Sequence, residues 1–447
     1  MTEKPRRDPD TSLPSEPITR VVEPVSRFFH IESASGILLL AATVAALVLA
    51  NSDTADAFLD FWKTPIGLTF GEFEFRHSLR HWINDGLMVL FFFVIGLEVK
   101  RELFLGELRE LKAAVLPLAA AIGGMVMPAS LYLALQWNEP GERGWGIPIA
   151  TDIAFVIGAL AVLGRRIPSG LRVLLVSMAI ADDIGAIVVI AVGYTQNLDF
   201  SALAWGVFGI GVVVVFARIG IRSVAVYSAL GVAVWFAFHE SGVHATIAGV
   251  ALGLLTPVKP WVGGNLLVKL AHELHGLLEG DESDSDPQER RAKVKKVQTA
   301  ARETISPLER LEGSLHPYVS FLILPLFALA NAGVPLKTSA LFDPIGVAIA
   351  LGLCIGKPTG VLLFSWLAVR ARLAKLPENV TWPVLAAGGV LAGIGFTMSL
   401  FIAGLALDDP LLSAAKIAIL FASGVCAIVG TSLLYLLSAS NRGENSG

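Results

Sequence analysis

The sequence predicts an all-α membrane protein with about twelve transmembrane helices, and three observations support this fold class. Charged residues make up 16% of the 447 residues, whereas a soluble domain carries roughly 25%. Hydrophobic residues make up 54%, and the mean hydropathy is +0.67. The hydrophobic residues lie in runs close to the roughly 20 residues that a helix needs to cross about 30 Å of hydrocarbon.

Twelve apolar runs are long enough, or nearly long enough, to span a bilayer. In chain order they cover residues 35–51, 82–99, 113–135, 146–163, 171–194, 201–217, 223–239, 242–257, 315–335, 344–369, 383–405 and 413–437. Most are rich in Gly and Ala, which let helices pack closely where lipid provides no hydrophobic driving force. The seventh and eighth runs are short for a complete span.

The distribution of Lys and Arg predicts the orientation of these runs. With the N-terminus inside, the inside segments hold 27 of the 34 Lys and Arg residues and the outside loops hold 5. By the positive-inside rule, both termini are cytoplasmic. We expect a disordered cytoplasmic tail at 1–30, a transmembrane domain at 31–438 with a long cytoplasmic loop at 258–314, and a second cytoplasmic tail at 439–447.

Composition also narrows the classes of function. The net charge of −4 does not indicate a polyanionic partner, and we expect no nucleic acid to bind. Cys354 and Cys426 lie in apolar runs without the spacing of a zinc or redox site. Residues 1–30 lack the apolar stretch of a secretory signal. We expect a protein surrounded by membrane lipid, with no cofactor and no enzyme activity.

Two adjacent acids, Asp182 and Asp183, lie in the middle of the fifth run. A lipid-facing charge at a helix centre costs at least about 2.5–3.5 kcal/mol, so such residues usually line an aqueous path or form pairs. Hard cations prefer carboxylate oxygens, and one site holds either a proton or a metal ion. The pair is therefore the candidate ion site. The alternative is a cap at a helix break, although the apolar run continues on both sides.

The fourth run contains Pro148, Thr151 and Asp152. Pro148 cannot donate a backbone hydrogen bond, and the side chains of Thr151 and Asp152 offer the backbone other partners. We expect a broken helix here, in which these side chains satisfy the freed backbone groups. The alternative is an ordinary N-cap near the start of a helix.

Lys357 lies at the centre of the tenth run, too far from either surface to extend its ammonium group into water. It needs an acidic partner, for which Asp182, Asp183 and Asp152 are the candidates. It either carries a proton or forms a purely structural salt bridge. In the eleventh run, four glycines between positions 388 and 395 indicate close packing or an unwound stretch that lines a cavity.

Three further ionisable residues lie near the ends of runs. His244 is near the outer end of the eighth run, where it is a structural hydrogen-bonding residue or a titrating switch. Asp85 and Glu98 lie near the two ends of the second run.

Residues 66–75 alternate apolar and polar side chains around Gly71, which is typical of a β-hairpin. A lone hairpin is marginally stable in water. We therefore expect it to pair with a second copy, so that the protein forms a homodimer through this hairpin.

Several short motifs occur together, in this order, between Arg27 and the end of the twelfth run. They are Trp82-Ile-Asn-Asp85, Leu97-Glu-Val-Lys-Arg-Glu102, Ala150-Thr-Asp-Ile-Ala-Phe155, Ala181-Asp-Asp-Ile-Gly185, Ser241-Gly-Val-His-Ala-Thr246, Leu322-Ile-Leu-Pro-Leu-Phe327, Gly356-Lys-Pro358 and Gly393-Ile-Gly-Phe-Thr-Met-Ser399. In this combination the sequence resembles the NhaA-type sodium/proton antiporters of bacterial inner membranes.

The resemblance implies a fold with two inverted repeats, spans three to five and ten to twelve, in which broken spans four and eleven cross at mid-membrane. It implies that Asp182 and Asp183 carry the ions, that Lys357 is their basic partner, and that Thr151 and Asp152 balance half-helix dipoles. A cytoplasmic cluster that tunes the pH response corresponds to Glu98, Arg101, Glu102, Glu312 and His316. The family pattern has His directly after Glu312, where this chain has Gly313, so the resemblance does not set the pH of activation.

The expected function is export of sodium or lithium ions from the cytoplasm in exchange for protons, electrogenic and regulated by pH, for sodium and pH homeostasis. One alternative is a sodium-coupled symporter of organic anions on a similar scaffold. Another, an intramembrane aspartyl protease, is disfavoured because its Gly-x-Gly-Asp motif is missing from the sequence.

Overall fold

The computed structural model describes residues 32–444, apart from 71–72, 196–197, 222, 264–265, 267, 271, 273–286 and 337. The predicted tail at 1–30 and the last three residues of the chain lie outside these described residues.

Helices account for almost all of the described structure. Numbered in chain order, they are α1 Glu32–Ala50, α2 Ala55–Phe61, α3 Met88–Leu105, α4 Leu111–Gln136, α5 Ile153–Leu163, α6 Ser169–Gly193, α7 Phe200–Arg218, α8 Val224–Glu240, α9 Thr246–Leu255, α10 Pro287–Glu303, α11 Pro307–Tyr318, α12 Leu324–Asn331, α13 Pro344–Leu351, α14 Lys357–Arg370, α15 Trp382–Ala392, α16 Phe396–Ala406 and α17 Leu411–Glu444. Wide π turns at Trp82–Leu87, Val319–Ile323 and Gly352–Gly356, a helical turn at Leu79–His81, and 3-10 turns at Glu107–Arg109, Glu142–Ile149, Gly164–Arg166 and Thr338–Phe342 complete the helical segments.

Eight helical stretches of the described chain are long and apolar enough to cross a membrane, or nine when the bent pair α15 and α16 counts as one span. Three further apolar helices are shorter, at Ala34–Ala50, Val224–Glu240 and Thr246–Leu255. The prediction of a multi-pass helical membrane protein is therefore confirmed.

The helix of the ninth run begins at Pro307 rather than at residue 315. Ser306 caps it, because its hydroxyl accepts a hydrogen bond from the Glu309 amide at 3.1 Å while the Glu309 carboxylate accepts from the Ser306 amide at 3.2 Å. At the other end of the chain, α17 continues through the predicted tail to Glu444.

The predicted hairpin is present and is slightly longer than its sequence pattern suggested. Strand β1, Pro65–Phe70, pairs antiparallel with β2, Phe73–Ser78. The indole of Trp82 donates a hydrogen bond to the Ile66 carbonyl at 2.8 Å, which ties the hairpin to the start of the second span.

Glycines let the helices that carry the charged residues approach closely. A methyl group on Gly96 of α3 would lie 2.7 Å from the Val250 carbonyl oxygen of α9. At Gly360 of α14, the same group would collide with the backbone of Gly123 in α4. The contact at Gly360 holds α14 against α4, and Lys357 at the start of α14 is fully buried.

Candidate functional site: an ion pair where two broken spans meet

Asp182 and Asp183 lie in the middle of α6, within an uninterrupted helix. Their relative exposures are 0% and 3%. The alternative that placed both acids in a loop at a helix break is therefore wrong. Because neighbouring residues on a helix point about 100° apart, the two carboxylates meet different surroundings.

The partner of Lys357 is Asp182. The Lys357 ammonium lies 3.0 Å from Asp182 Oδ2, and both side chains are fully buried. The Thr151 hydroxyl donates to the same oxygen at 2.7 Å. A wide π turn directly before Lys357 accommodates Pro358, which would otherwise clash with the carbonyl of the preceding helical turn.

The helix of the fourth span is interrupted at residues 150–152, between the 3-10 turn ending at Ile149 and the start of α5. The eleventh span is interrupted between α15 and α16, which are bent by 46°. The two interruptions contact each other, since the Asp152 amide donates to the Ile394 carbonyl at 2.7 Å. The fourth span is thus interrupted at Thr151–Asp152, and the eleventh is interrupted within the glycine series, for which the sequence left close packing and an unwound stretch open.

Asp152 caps two helices at once. Its Oδ1 accepts from the Phe155 amide at 3.2 Å, at the N-terminus of α5. Its Oδ2 accepts from the Thr397 amide at 3.0 Å and from the Thr397 hydroxyl, at the N-terminus of α16. A helix N-terminus carries roughly +0.5 of an elementary charge, so one carboxylate faces two positive helix ends. The N-cap alternative holds locally, but the cap lies inside a span.

Side-chain donors lie against the C-terminal backbone carbonyl groups of the interrupted helices. The Lys357 ammonium donates to the Ile149 carbonyl, where the 3-10 turn ends. The Thr151 hydroxyl lies 3.2 Å from the Ala392 carbonyl, where α15 ends. Lys357 therefore balances a negative helix end as well as Asp182, a role that the sequence did not indicate.

Asp183 has a different environment from its neighbour. Among the described residues, its Oδ1 is buried without a hydrogen-bond partner, and the same is true of Oδ1 of Asp182. The charged groups in electrostatic range of Asp183 are Glu98, Asp182 and Asp152, followed by Lys357. Glu98 is half-buried on α3, so an acid of a second helix lies in electrostatic range of Asp183.

Two contacts join residues of the predicted cytoplasmic cluster around α3. Glu102 is buried and accepts from the Ser177 hydroxyl of α6 at 2.8 Å. Arg101 pairs with Glu312 of α11 at 2.5 Å, with 49% and 12% of the two side chains exposed. His316 lies exposed one helical turn further along α11.

Asp85 and His244 come together at the opposite end of the second span. His244 Nε2 lies 3.8 Å from Asp85 Oδ1, and Nδ1 lies 2.7 Å from the Thr246 hydroxyl. His81 and His239 also contact Asp85, at 3.6 Å and 4.0 Å. No sequence pattern had marked these two histidines, or Thr397 at the contact between the two interrupted spans.

This arrangement provides two buried carboxylate oxygens with no hydrogen-bond donor among the described residues. A buried, unpaired carboxylate is unfavourable unless it binds a proton or a cation. The ammonium group of Lys357 pairs with Asp182, whereas Oδ1 of Asp183 has no hydrogen-bond donor among the described residues.

Comparison with known proteins gives a consistent result over nearly the whole chain. Residues 26–434 match a family model described as Na+/H+ antiporter 1. The chain is 51% identical to the Na(+)/H(+) antiporter NhaA of Rhodopirellula baltica over 428 residues, which cover 94% of this chain and 96% of the relative. It is 49% identical to the protein of the same name from Rhizobium meliloti over 430 residues, covering 96% and 98%. It is 47% identical to Na(+)/H(+) antiporter NhaA 2 of Acidiphilium cryptum over 441 residues, covering 99% and 98%. These names confirm the resemblance and give no support to the organic-anion symporter.

Proposed function

We propose that Asp182 and Asp183 hold the two exchanged ions in turn. The premise is that this chain belongs to the Na+/H+ antiporter 1 family and exchanges sodium ions for protons across a bacterial membrane. The observation that carries this proposal is the pair of buried Oδ1 atoms that lack hydrogen-bond partners among the described residues. Sodium, or lithium, is a hard cation that carboxylate oxygens bind well. A proton on the same oxygens excludes the cation, so the two ions cross the membrane in opposite directions.

Asp183 is the main exchange group in this proposal, because Asp182 already shares Oδ2 with Lys357 and Thr151. When a cation approaches Asp183, it also reaches Oδ1 of Asp182 and competes with the ammonium of Lys357 for that carboxylate. Lys357 then either moves within the pocket or gives up a proton. Both roles that the sequence left open for Lys357, proton carrier and partner in a structural salt bridge, fit this geometry.

The broken spans supply a flexible centre for alternating access. Asp152 holds the N-termini of α5 and α16, and Thr151 bonds both to Asp182 and to the end of α15. A small rocking of the two groups of helices shifts these contacts and exposes the pair to the other side of the membrane. We propose that the crossing belongs to two inverted repeats, spans three to five and ten to twelve.

We propose twelve spans in total, in which the three shorter apolar helices also cross the membrane. Helix α9 has 10 residues and reaches only about 15 Å, so its span includes the turn that carries His244. The excess of Lys and Arg in one set of loops supports cytoplasmic termini in the bacterial inner membrane, with the domain bounds predicted above. Labelling of cysteines placed in the 258–314 loop only from outside intact cells would contradict this orientation.

We propose that exchange is electrogenic, with more than one proton entering per sodium ion leaving. Each net charge then contributes about 2.3 kcal/mol per 100 mV of membrane potential. In proteoliposomes, an imposed potassium diffusion potential should change the rate of exchange. A rate that is independent of the imposed potential would contradict electrogenic exchange.

Glu98, Arg101, Glu102, Glu312 and His316 form the proposed cytoplasmic funnel and pH-sensing region. Arg101 and Glu312 link α3 to α11, and Glu102 links α3 to α6, the helix that carries Asp182 and Asp183. A change of charge in this region therefore acts directly on the helices beside the ion pair. A pH–activity profile unchanged in Glu312→Gln would count against this role.

The hairpin of β1 and β2 is the proposed dimer contact, because Ile66 is half-exposed at the outer end of the molecule and a two-stranded sheet has free edges. If residues 66–75 are deleted, cross-linking in membranes should show loss of dimer. An unchanged dimer fraction would refute this contact.

Replacement of the exchange group tests the site most simply. Asp183→Asn and Asp182→Asn should each abolish sodium-driven proton movement in everted vesicles, while Asp199→Asn, at the capped start of α7, serves as a control that leaves transport intact. Sodium-driven proton movement that persists in Asp183→Asn at the rate of the unchanged protein would refute the assignment.

A further inference from the structure

His81, His239 and His244 contact one carboxylate, that of Asp85, at the end of the second span that is remote from the Arg101–Glu312 pair. His77, another of the chain's eight histidines, packs against His81 and His239. The hairpin contributes His77, the start of the second span contributes His81 and Asp85, and the end of α8 contributes His239. His244, just before α9, is the fourth histidine of this set. We call His77, His81, His239 and Asp85 the histidine cluster.

The geometry of the cluster suits a metal ion. One ring nitrogen from each of His77, His81 and His239 lies within 4.8 Å of the other two. Asp85 Oδ2 lies 3.6 Å from His81 Nε2 and 4.0 Å from His239 Nδ1. Zinc–nitrogen bonds of about 2.0–2.1 Å place tetrahedral ligands a little over 3 Å apart, so a small inward movement brings the three ring nitrogens onto one ion. Asp85, beside two of these histidines, supplies the fourth ligand after its carboxylate turns toward the ion.

The surroundings orient these ligands as a metal site requires. His244 Nδ1 forms a hydrogen bond with the Thr246 hydroxyl, and this directs His244 Nε2 toward Asp85. The ring of His239 stacks on Trp235 with centroids 5.7 Å apart. Residues that contact a metal ligand and fix its orientation raise metal affinity. The His81 side chain is 35% exposed, so an ion can enter from water.

We propose that the histidine cluster binds one transition-metal dication of the zinc type, with three imidazoles and the Asp85 carboxylate as ligands. Imidazole with one carboxylate suits zinc, copper and nickel, and disfavours sodium, magnesium and calcium. The bound ion would join three elements that are distant in sequence: the hairpin, the second span and α8. It therefore fastens the hairpin to the helices beneath it.

Calorimetric titration with Zn²⁺ tests this site in the full chain, purified in detergent without a polyhistidine tag. One ion should bind per chain, and His81→Gln and His239→Gln should each weaken binding at least tenfold. His272→Gln, which removes an exposed histidine outside the cluster, is the matched control and should bind as the unchanged protein does. Co²⁺ should give the visible absorption of a tetrahedral complex, which His239→Gln should lose.

Correct folding of each variant is checked by its elution volume and by a cooperative thermal unfolding transition without metal. The proposal is overturned if His81→Gln and His239→Gln, when folded, bind Zn²⁺ as tightly as the unchanged chain. It is also overturned if His272→Gln removes the binding.

Discussion

The buried pair of Lys357 and Asp182 leads to a quantitative prediction about stability. Replacing Lys357 by Met leaves the Asp182 carboxylate buried without its counter-charge. Replacing Asp182 by Asn likewise leaves the Lys357 ammonium group buried without a counter-charge. Because both side chains are fully buried at 3.0 Å, we expect each single change to cost about 3–5 kcal/mol, the usual result of removing one partner of a buried ion pair.

The double variant separates this pairing from general disruption of the core. With both charges removed, no uncompensated charge remains, so the double change should cost less than the two single changes together, by about 2–3 kcal/mol. The measurement is equilibrium unfolding by SDS in mixed micelles, followed by tryptophan fluorescence.

Lys416 provides a matched control, since it is a buried lysine of α17, at 4% exposure. Its charged neighbours are Arg80 and Asp409, and the cycle of Asp182→Asn with Lys416→Met should therefore be additive. If Asp182→Asn and Lys357→Met are also additive within about 0.5 kcal/mol, the two residues do not stabilise each other and the proposed arrangement of the site is wrong.

Three further changes test other contacts. Asp152→Ala removes the caps of two helices and should destabilise the protein in the same unfolding assay by about 2 kcal/mol, at about 1 kcal/mol per cap; no loss would mean that the caps do not form. Gly67→Ala puts a methyl group into the backbone of Phe75, so it should distort the hairpin and lower the cross-linked dimer fraction, whereas an unchanged fraction would argue against the hairpin contact. Arg101→Ala should cost less than about 1 kcal/mol, because its ion pair with Glu312 is half-exposed; a larger loss would show that the pair supports the fold.

The central charges were predictable from sequence for a physical reason. A charge in the middle of an apolar run is so unfavourable in lipid that Asp182, Asp183 and Lys357 stand out from their neighbours. Which acid pairs with Lys357 was not predictable, because the answer depends on how α6 and α14 are rotated about their axes. The structure selects Asp182.

Other features had no such signal. Thr397 lies in an apolar run, where a hydroxyl is common, and only the fold brings it to Asp152. The histidine cluster joins His77 and His81 to His239, which is distant in sequence. The hairpin, by contrast, was predictable because alternating side chains and a central glycine are local properties of the chain.

Competition between sodium and protons at Asp182 and Asp183 is the central claim, and the pH dependence of sodium affinity tests it most directly. Sodium binds the deprotonated carboxylates, so acidification removes the form that binds it. Where the site is largely protonated, the apparent Kd for sodium should rise about tenfold per unit fall in pH for each proton displaced. Titration of the purified protein in weak buffer should also release protons as sodium is added. A sodium affinity that stays constant between acidic and alkaline pH, with no proton release, would contradict the account.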